Sequence, residues 1–468
     1  MILRAGRLLA ALGLLAAITT RVAAEDDEAA RPKIDFMNRW REDWSVLADP
    51  RLRTEPLDSL KYIPLPVGDP KSYVSLGLTL RERFELNDAP AFGTGSNEGD
   101  NYLLDRLQWH IDVRPNAQWQ IFVQFEDVRA PGKSVITPVD ENPLDLRQAF
   151  LAYVDSFWGG TLKARVGRQE MAFDLQRFVA VRDGPNVRQA YDALWLDWEQ
   201  REWRFIGFWS HPVQYPDERR PFDDFSNQRL QYGGFRVERQ DVGPGDLSAY
   251  YSRFIQDDAQ FLDARGDERR DNFDVRYAGT RDGFDWDLEA MGQYGDIGGK
   301  SIRAWAVGSR SGYTIADVRW TPRLGLQIDA ASGDDEPGDE TLGTFNPLFP
   351  NGYYFTLAGY TGYTNLIHLK PSLTVKPTTK LGLMIAPGLQ WRETTADAVY
   401  VQPDIPVSGT AGKAGRFSGV FVQFRADWEV TPSVRAAVEA VRFQIGDALR
   451  RAGGQDSTYF NVELKYGW

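Results

Sequence analysis

The segment that decides the fold is Tyr459-Phe460-Asn461-Val462-Glu463-Leu464-Lys465-Tyr466-Gly467-Trp468, at the carboxyl end of the sequence. Every second residue from Phe460 onward is apolar or aromatic, and the residues between them are Asn461, Glu463, Lys465 and Gly467. Successive side chains of a strand point to opposite faces, so this alternation predicts a strand with one apolar and one polar face. Such a strand is expected as the last strand of an outer-membrane β-barrel, where it pairs with the first. The last strand of a soluble sandwich or barrel would show the same alternation, so the rest of the chain has to decide.

The amino end has the pattern of an export signal. Arg4 and Arg7 precede an apolar run from Leu8 to Ile18, and small residues at 22–24 precede an acidic stretch. This pattern predicts a secretory signal peptide, residues 1–24, cut after Ala24. The run has about eleven residues, whereas a transmembrane helix needs about twenty, and no later segment approaches that length without charges. The sequence therefore excludes a helical membrane protein.

Composition excludes several kinds of site and partner. The sequence has no cysteine, so neither disulfide bonds nor thiolate metal sites are available. Its formal net charge of −12 argues against a nucleic-acid partner. Mean hydropathy is −0.43, the value of a soluble protein, although aromatic residues make up 13% of the chain. Strands that turn only half of their side chains to lipid produce such an average.

Two regions follow the signal. Residues 25–72 do not read as a strand: the stretch from Phe36 to Trp44 predicts a short amphipathic helix, and prolines at 50, 64 and 66 interrupt the chain. We expect a periplasmic lead-in segment or a plug there. From Tyr73 the pattern becomes that of a first strand, with one face formed by Val74, Leu76, Leu78, Leu80 and Phe84 and the other by Ser75, Thr79, Arg81, Arg83 and Glu85.

The rhythm of the connections separates a membrane barrel from a soluble sandwich. About eighteen strand-like segments follow one another from residue 73 to residue 468. Long gaps, such as 171–190 and 333–361, alternate with tight ones, such as Pro115-Asn116 and Arg281-Asp282-Gly283. Transmembrane barrels have short periplasmic turns and long outer loops, whereas a sandwich has no reason to alternate in this way. We therefore predict an all-β fold, a transmembrane antiparallel β-barrel over residues 73–468.

The polar faces of these strands should line a lumen, because the apolar faces are turned to lipid. Basic residues slightly outnumber acidic ones on those faces, although the chain is acidic overall. Two interpretations stay open: ladders of paired charges that hold a wide barrel open, or an anion-conducting pore lined by cations. The strand residues expected to line the pore are Arg81, Arg83, Arg106, Arg165, Arg276, Arg303 and Arg425.

The segment 171–192 is more apolar than an exposed loop needs to be. It carries arginines and aspartates around a Gly-Pro turn, so it either folds inward as a constriction or packs over the rim. Its candidate residues are Arg177, Arg182, Asp183 and Arg188. Arg168 and Asp192, which flank the loop, complete the set expected to line the pore.

Several patches resemble the alginate export family of outer-membrane porins. They are Val166-Gly167-Arg168-Gln169-Glu170, the 182–188 turn, Ser332-Gly333-Asp334-Asp335, the stretch Gly343 to Pro350, Arg53 to Leu57 and Leu60 to Leu65. The resemblance covers nearly all of the chain after the signal. It implies a monomeric barrel of about eighteen strands whose arginine-lined lumen passes an anionic uronate polymer.

No enzymatic constellation is visible in the sequence. The three histidines, His110, His211 and His368, fall in separate strands or strand ends, which favours neither a metal site nor a serine triad. The acidic loop at 334–340 lacks the spacing of a calcium loop and is interpreted as solvated. We expect no metal and no cofactor.

The leading functional interpretation is a passive conduit in the outer membrane for an acidic polysaccharide or its oligomers. The alternative is a general or small-solute porin without polymer specificity, and an outer-membrane enzyme is the outsider. The expected partners are the lipid bilayer, the anionic polymer or its oligomers and periplasmic export components, with no nucleic acid. An excess of arginine in the lumen would favour the first interpretation, and balanced charge the second.

Overall fold

The computed structural model describes residues 31–94 and 99–468, so the predicted signal peptide lies outside the described residues. The chain forms a closed antiparallel β-barrel of 18 strands, as predicted. The strands are β1 Tyr73–Asn87, β2 Asp100–Arg114, β3 Trp119–Arg129, β4 Asn142–Phe157, β5 Gly160–Gln169, β6 Tyr191–Gln200, β7 Trp203–Gln214, β8 Leu230–Val242, β9 Gly245–Gln260, β10 Arg265–Arg281, β11 Phe284–Ile297, β12 Lys300–Thr314, β13 Arg323–Ala331, β14 Leu366–Thr378, β15 Leu381–Trp391, β16 Phe417–Thr431, β17 Val434–Ile445 and β18 Ser457–Gly467.

The barrel is closed by pairing of its first and last strands. β1 and β18 are antiparallel, with a register that runs from Thr79 opposite Gly467 to Asn87 opposite Tyr459. Beyond that register Leu78 and Trp468 exchange two main-chain hydrogen bonds, of 2.7 and 2.9 Å. Closure leaves neither strand with a free edge.

The faces of β18 follow the predicted alternation. Phe460 and Val462 are 36% and 43% exposed, and they point away from the barrel, whereas Tyr459 and Asn461 are buried inside it. Glu463 and Lys465 share the inward parity, and both are ion-paired there. The apolar face therefore surrounds the barrel and the polar face lines the lumen.

The two ends of the barrel differ in the length of their connections. At one end the strands are joined by short turns, for example between Phe157 and Gly160; at the other, loops such as 332–365 and 392–416 are long. Two connections at the long-loop end are short, 261–264 and Gly298-Gly299. The remaining pieces are short: helices Asp58–Lys61 and Asp447–Arg451, 3₁₀ turns Arg39–Arg41, Trp44–Ala48, Pro50–Leu52 and Pro90–Gly93, and two-residue strands Ile63–Pro64, Phe225–Ser226, Thr341–Leu342, Tyr400–Val401 and Ile405–Pro406. In the described part of the chain no helix is both long and apolar enough to cross a membrane.

The amphipathic helix expected from Phe36 to Trp44 is wrong. Two separate 3₁₀ turns take its place, because Glu42 is extended between them (φ −66°, ψ 127°). The segment instead forms hydrogen bonds with the barrel wall, as described below for Arg39 and Trp40. Tertiary contacts here override the local periodicity.

Candidate functional site: the lumen

The loop between β5 and β6, residues 170–190, folds into the barrel; we call it the inward loop. Arg81 of β1 donates to the main-chain oxygen of Asp183 at 2.7 Å and to the side-chain oxygen of Asn186 at 3.0 Å. Arg106 of β2 donates to the main-chain oxygens of Asn186 and Pro185, both at 2.7 Å. Guanidinium groups suit this role because their donors form a rigid fork. The sequence left two positions open for this loop, folded inward or packed over the rim, and in the structure it is folded inward.

Four basic residues lie in one row across four adjacent strands. In the register of the sheet, Arg81 is opposite Lys465 on one side and opposite Arg106 on the other, and Arg435 of β17 is opposite Lys465. We call these four residues the cationic row. Like charges on directly opposite residues repel, so such a row needs acidic groups in front of it.

Asp183 supplies a carboxylate to the cationic row. Its two oxygens lie 2.6 Å from Arg106 Nη1 and 3.0 Å from Lys465 Nζ, and Arg188 Nε is 3.7 Å away. Burial alone would raise the pKa of Asp183, but the cations around it, Lys465 and Arg106 foremost, hold the pKa well below its usual value. The lumen thus holds one carboxylate in its charged form between Lys465 and Arg106, the two cations of the row that flank Arg81.

Other lumen cations are paired with acids of the wall or, for Arg188, with an acid of the inward loop itself. Arg83 Nε lies 2.8 Å from Glu85, Arg425 Nη1 lies 2.6 Å from Glu439, and Arg188 Nη2 lies 2.7 Å from Glu170. On the opposite wall Arg177 Nη1 is 2.6 Å from both Asp287 and Glu289, and Arg276 Nη2 is 2.5 Å from Asp287. These pairs are the charge ladders that the sequence left as one interpretation.

Two of the predicted arginines that face the lumen, Arg182 and Arg165, have no carboxylate within 4.0 Å among the described residues. Arg182 stands in the inward loop with a left-handed φ of 55°. Burial raises the pKa of the Asp404 carboxyl to about 6, and the charge of Arg182 acts on that carboxyl in the opposite direction. Arg165 of β5 lies between aromatic rings, with its guanidinium carbon 4.5 Å from the centroid of Trp40 and 5.6 Å from that of Trp195. A cation without a counter-ion is free to accept an anionic group.

Three residues expected to line the pore face outward instead. Arg168 and Asp192 form a 2.9 Å ion pair on the outer surface, on the same parity as the exposed Val166 and Leu194. Strand alternation explains the error for Arg168, because it is three residues from the inward-facing Arg165 in the same strand. Arg303 is exposed beside Trp305 and Val307 on the outer face of β12, near the loop end of that strand.

A second loop, residues 332–365, also enters the lumen; we call it the aromatic loop. Phe349 exchanges main-chain hydrogen bonds of 2.8 and 2.9 Å with Phe178 and Ala180 of the inward loop. The ring of Tyr353 lies against Gly184, where a Cβ atom would come within 1.8 Å of it. Glycine at 184 is therefore required for the two loops to pack together. Sequence reasoning missed this contact, although the density of aromatic residues from 345 to 363 was a signal.

The histidines do not form a catalytic group. His368 Nδ1 is 3.0 Å from Asp329, but its Nε2 has no hydrogen-bond partner among the described residues, so no hydroxyl nucleophile stands beside it. His110 stacks on Phe122, and His211 contacts main-chain oxygens. Among residues 31–94 and 99–468, none of the three histidines is thus placed beside a hydroxyl nucleophile.

The acidic loop at 334–340 does not collect a set of ligands either. Asp334 is buried, and burial raises the pKa of its carboxyl to about 6. Within the ranges 31–94 and 99–468, the three acidic residues whose carboxylates come close enough to share one cation are Asp145, Asp223 and Asp224, on another loop and the start of β4. These residues alone do not make a metal site.

A comparison with protein families finds one match, to the model described as alginate export, over residues 72–463. Among solved structures, the chain is similar to three outer-membrane proteins of Pseudomonas aeruginosa. OccK11 (OpdR) has a TM-score of 0.53 at 11% identity, covering 84% of this chain and 95% of that one. OpdO has a TM-score of 0.56 at 11% identity, covering 84% and 97%. OpdK with vanillate has a TM-score of 0.53 at 11% identity, covering 84% and 98%. No curated protein matches the chain. At this level of identity the solved structures establish the barrel fold alone.

Proposed function

The chain belongs to the alginate export family, and on that premise we propose that this outer-membrane barrel is a conduit for an acidic polysaccharide of uronate units, or for its oligomers. The cationic row carries the proposal. Its members stand side by side on neighbouring strands, and Asp183 shows that a carboxylate fits between two of them, at 2.6 and 3.0 Å. A uronate carboxylate has the same charge and the same pair of oxygens. It can take the place of Asp183 when the inward loop moves aside.

Arg182 and Arg165 extend this path. Neither has a carboxylate partner within 4.0 Å in the described part of the chain, so each offers a charge that the wall does not already neutralise. Passage requires release as well as capture, so a series of separate cations serves a polymer better than one deep site. The track of Arg81, Arg83, Arg106 and Arg165 with Arg177, Arg182 and Arg188 is retained here as a proposal. In that track Arg83 and Arg177 are paired with wall acids, and Arg188 is paired with Glu170 at the start of the inward loop.

Selectivity in planar bilayers tests the proposal. We expect the purified barrel to prefer anions in a potassium chloride gradient, and oligouronates to interrupt the current where neutral oligosaccharides of equal length do not. Lys465→Gln combined with Arg435→Gln removes two charges of the row and leaves Arg81 and Arg106 to hold the inward loop. This variant should lose anion preference and show fewer interruptions. Arg303→Gln, on the outer face, is the matched control and should change neither.

The alternative is a general porin, and the paired charges of the lumen favour it. Where Arg83, Arg177 and Arg425 are each within 3 Å of an acid, the wall is close to neutral. A preference for cations in the wild-type barrel, or equal behaviour of the double variant and wild type, would overturn the polyanion proposal and leave this alternative. A general porin is expected to have its current interrupted equally by charged and by neutral oligosaccharides.

A further inference from the structure

We infer that residues 31–61 form a plug that closes the lumen from the short-turn end, and that conduction requires this segment to leave. The inference deepens the proposed function and rests on the barrel being a channel. The match to the alginate export family begins at residue 72, so the segment lies outside it. Its contacts with the lumen, and not its sequence, carry the argument.

Arg39 anchors the segment to the barrel wall. The residue is 3% exposed, and its guanidinium donates to the main-chain oxygen of Leu78 at 2.8 Å, to Thr79 Oγ1 at 2.8 Å and to the main-chain oxygen of Trp468 at 2.7 Å. Glu42 of the same segment neutralises it at 2.7 Å. A Cβ at Gly77 would lie 3.0 Å from Arg39 Nη2 and 2.2 Å from the ring of His110, so glycine there makes room for the anchor.

The segment also occupies hydrogen-bond donors that point into the lumen. Arg114 Nη2 and Gln120 Nε2 donate to the main-chain oxygen of Trp40 at 3.1 and 2.8 Å. Arg188 of the inward loop donates to the main-chain oxygen of Met37 at 3.2 Å. A contact with Arg188 shows that the segment reaches past the mouth of the barrel as far as the inward loop.

Trp40 covers Arg165, one of the two predicted lumen arginines without a carboxylate partner in the described part of the chain. Its ring lies 4.5 Å from the guanidinium carbon of Arg165, whose Nη1 has no hydrogen-bond partner among the described residues. Cation–π contact partly replaces the missing counter-ion. Phe36 covers Arg435 of the cationic row in the same manner, at 4.8 Å. The segment thus shields with rings and main-chain oxygens the groups that would otherwise face a passing polyanion.

The segment can leave without opening the barrel. Its regular structure consists of 3₁₀ turns and one four-residue helix, and strand pairing of the described chain with the wall begins only after it, at Ile63 and Pro64. The hydrogen bonds between β1 and β18 close the barrel without it. The buried apolar side chains of the segment, Ile34, Phe36, Trp44 and Leu47, cluster with one another and with Tyr62 and Tyr73. Little main-chain pairing with the wall marks a region that opens at a lower free energy than the strands.

A disulfide lock tests the inference. A Cβ at Gly467 would lie 2.5 Å from Ile34 Cγ2, which is one bond from the Cβ of Ile34, so the two Cβ atoms are at most about 4 Å apart and do not exceed the roughly 3.5–4.5 Å that a disulfide spans. The chain has no cysteine, so Ile34→Cys with Gly467→Cys can form one bond only. We expect the oxidised double variant to lose potassium chloride conductance in planar bilayers and to regain it on reduction. The conductance of each single variant should not change when the reductant is added. An oxidised pair that conducts as well as the reduced one overturns the inference.

A second variant keeps the test decisive if the lock perturbs the barrel. Arg39→Ala should raise conductance several-fold by releasing the anchor. Arg51→Ala, on the same segment but with a side chain that is 89% exposed, is the matched control and should leave conductance unchanged. Equal conductance of both variants would contradict the plug. Because potassium chloride alone is the probe, these results do not depend on the polysaccharide. If the disulfide pair controls conductance as expected but oligouronates do not interrupt the current, only the proposed substrate is refuted.

Discussion

Asp183 of the inward loop and Lys465 of the last strand form an ion pair 3.0 Å long, although 282 positions separate them in the sequence. The pair connects the loop that fills the lumen to the strand that closes the barrel. It also gives the cationic row an acid that belongs to the loop and not to the wall. Movement of the loop therefore changes the charge that the lumen presents.

Asp183→Asn should open the lumen and make it more anion-selective. The amide keeps the shape but removes the charge, which leaves Lys465 and Arg106 without their shared partner. Conductance and anion preference in planar bilayers should both increase. Asp192→Asn is the control, because Asp192 pairs with Arg168 on the outer face. If the two variants behave alike, Asp183 does not hold the loop.

Gly184→Ala should weaken packing between the inward loop and the aromatic loop. The new methyl group would meet the ring of Tyr353 at 1.8 Å, and overpacking of this kind costs about 1–3 kcal/mol. Trypsin should then cut after Arg182 faster than in the wild type. Gly207→Ala, where no atom lies within 4 Å of the new Cβ, should be cut at the wild-type rate. Equal protection of both variants would show that Tyr353 does not seat the turn.

Val307→Arg should destabilise the barrel by about 2–4 kcal/mol, as expected for arginine at the bilayer midplane. Val307 is 43% exposed near the middle of β12. Arg303 stands on the same face four residues nearer the loop end, so Arg303→Leu should change the free energy of unfolding by about 1 kcal/mol or less. Urea unfolding from lipid vesicles measures both values. Equal changes would show that the two positions do not differ in depth.

Plug docking should strengthen as the pH rises from 7 to about 10. Burial lowers the pKa of the Lys61 ammonium from 10.5 to about 7 in the docked segment. Between these values the undocked segment binds a proton that the docked one does not, so raising the pH favours docking; below pH 7 both forms are charged and docking is weakest. The charged groups that face Lys61 are Arg39, Glu42, Asp58 and Arg31.

Potassium chloride conductance at pH 6 and pH 9.5 measures this effect, and the wild type should conduct less at pH 9.5. Lys61→Met keeps the length of the side chain and its contacts with the rings of Trp44 and Trp468 but cannot be protonated. Its conductance should be low at both pH values. An unchanged pH response in Lys61→Met would assign the effect to another group.

The barrel could be predicted because the sequence of each strand indicates which side chains face lipid and which face the lumen. Alternation in β18 is visible in ten residues, and the lengths of the connections indicate which end each one occupies. The alternation also limits which residues of one strand can face the lumen. Arg165 and Arg168 are three residues apart in one strand, so they cannot both face it. This rule would have removed Arg168 from the set of pore residues.

The cationic row was less accessible to sequence reasoning. Arg435 was not among the candidates, because its place beside Lys465 depends on the register between β17 and β18. Register follows from turn geometry and from closure of the whole barrel, and no single strand encodes it. The partners of Asp183 likewise come from strands at both ends of the sequence.

The anchor of Arg39 has a consequence for the order of assembly. Two of its acceptors, Leu78 and Thr79, belong to the first strand, and the third is Trp468 beside the last. These acceptors come together only when the two strands have joined. The amino-terminal segment is synthesised first, but its full set of acceptors forms only at the end of assembly. A docked segment therefore indicates that the barrel has closed.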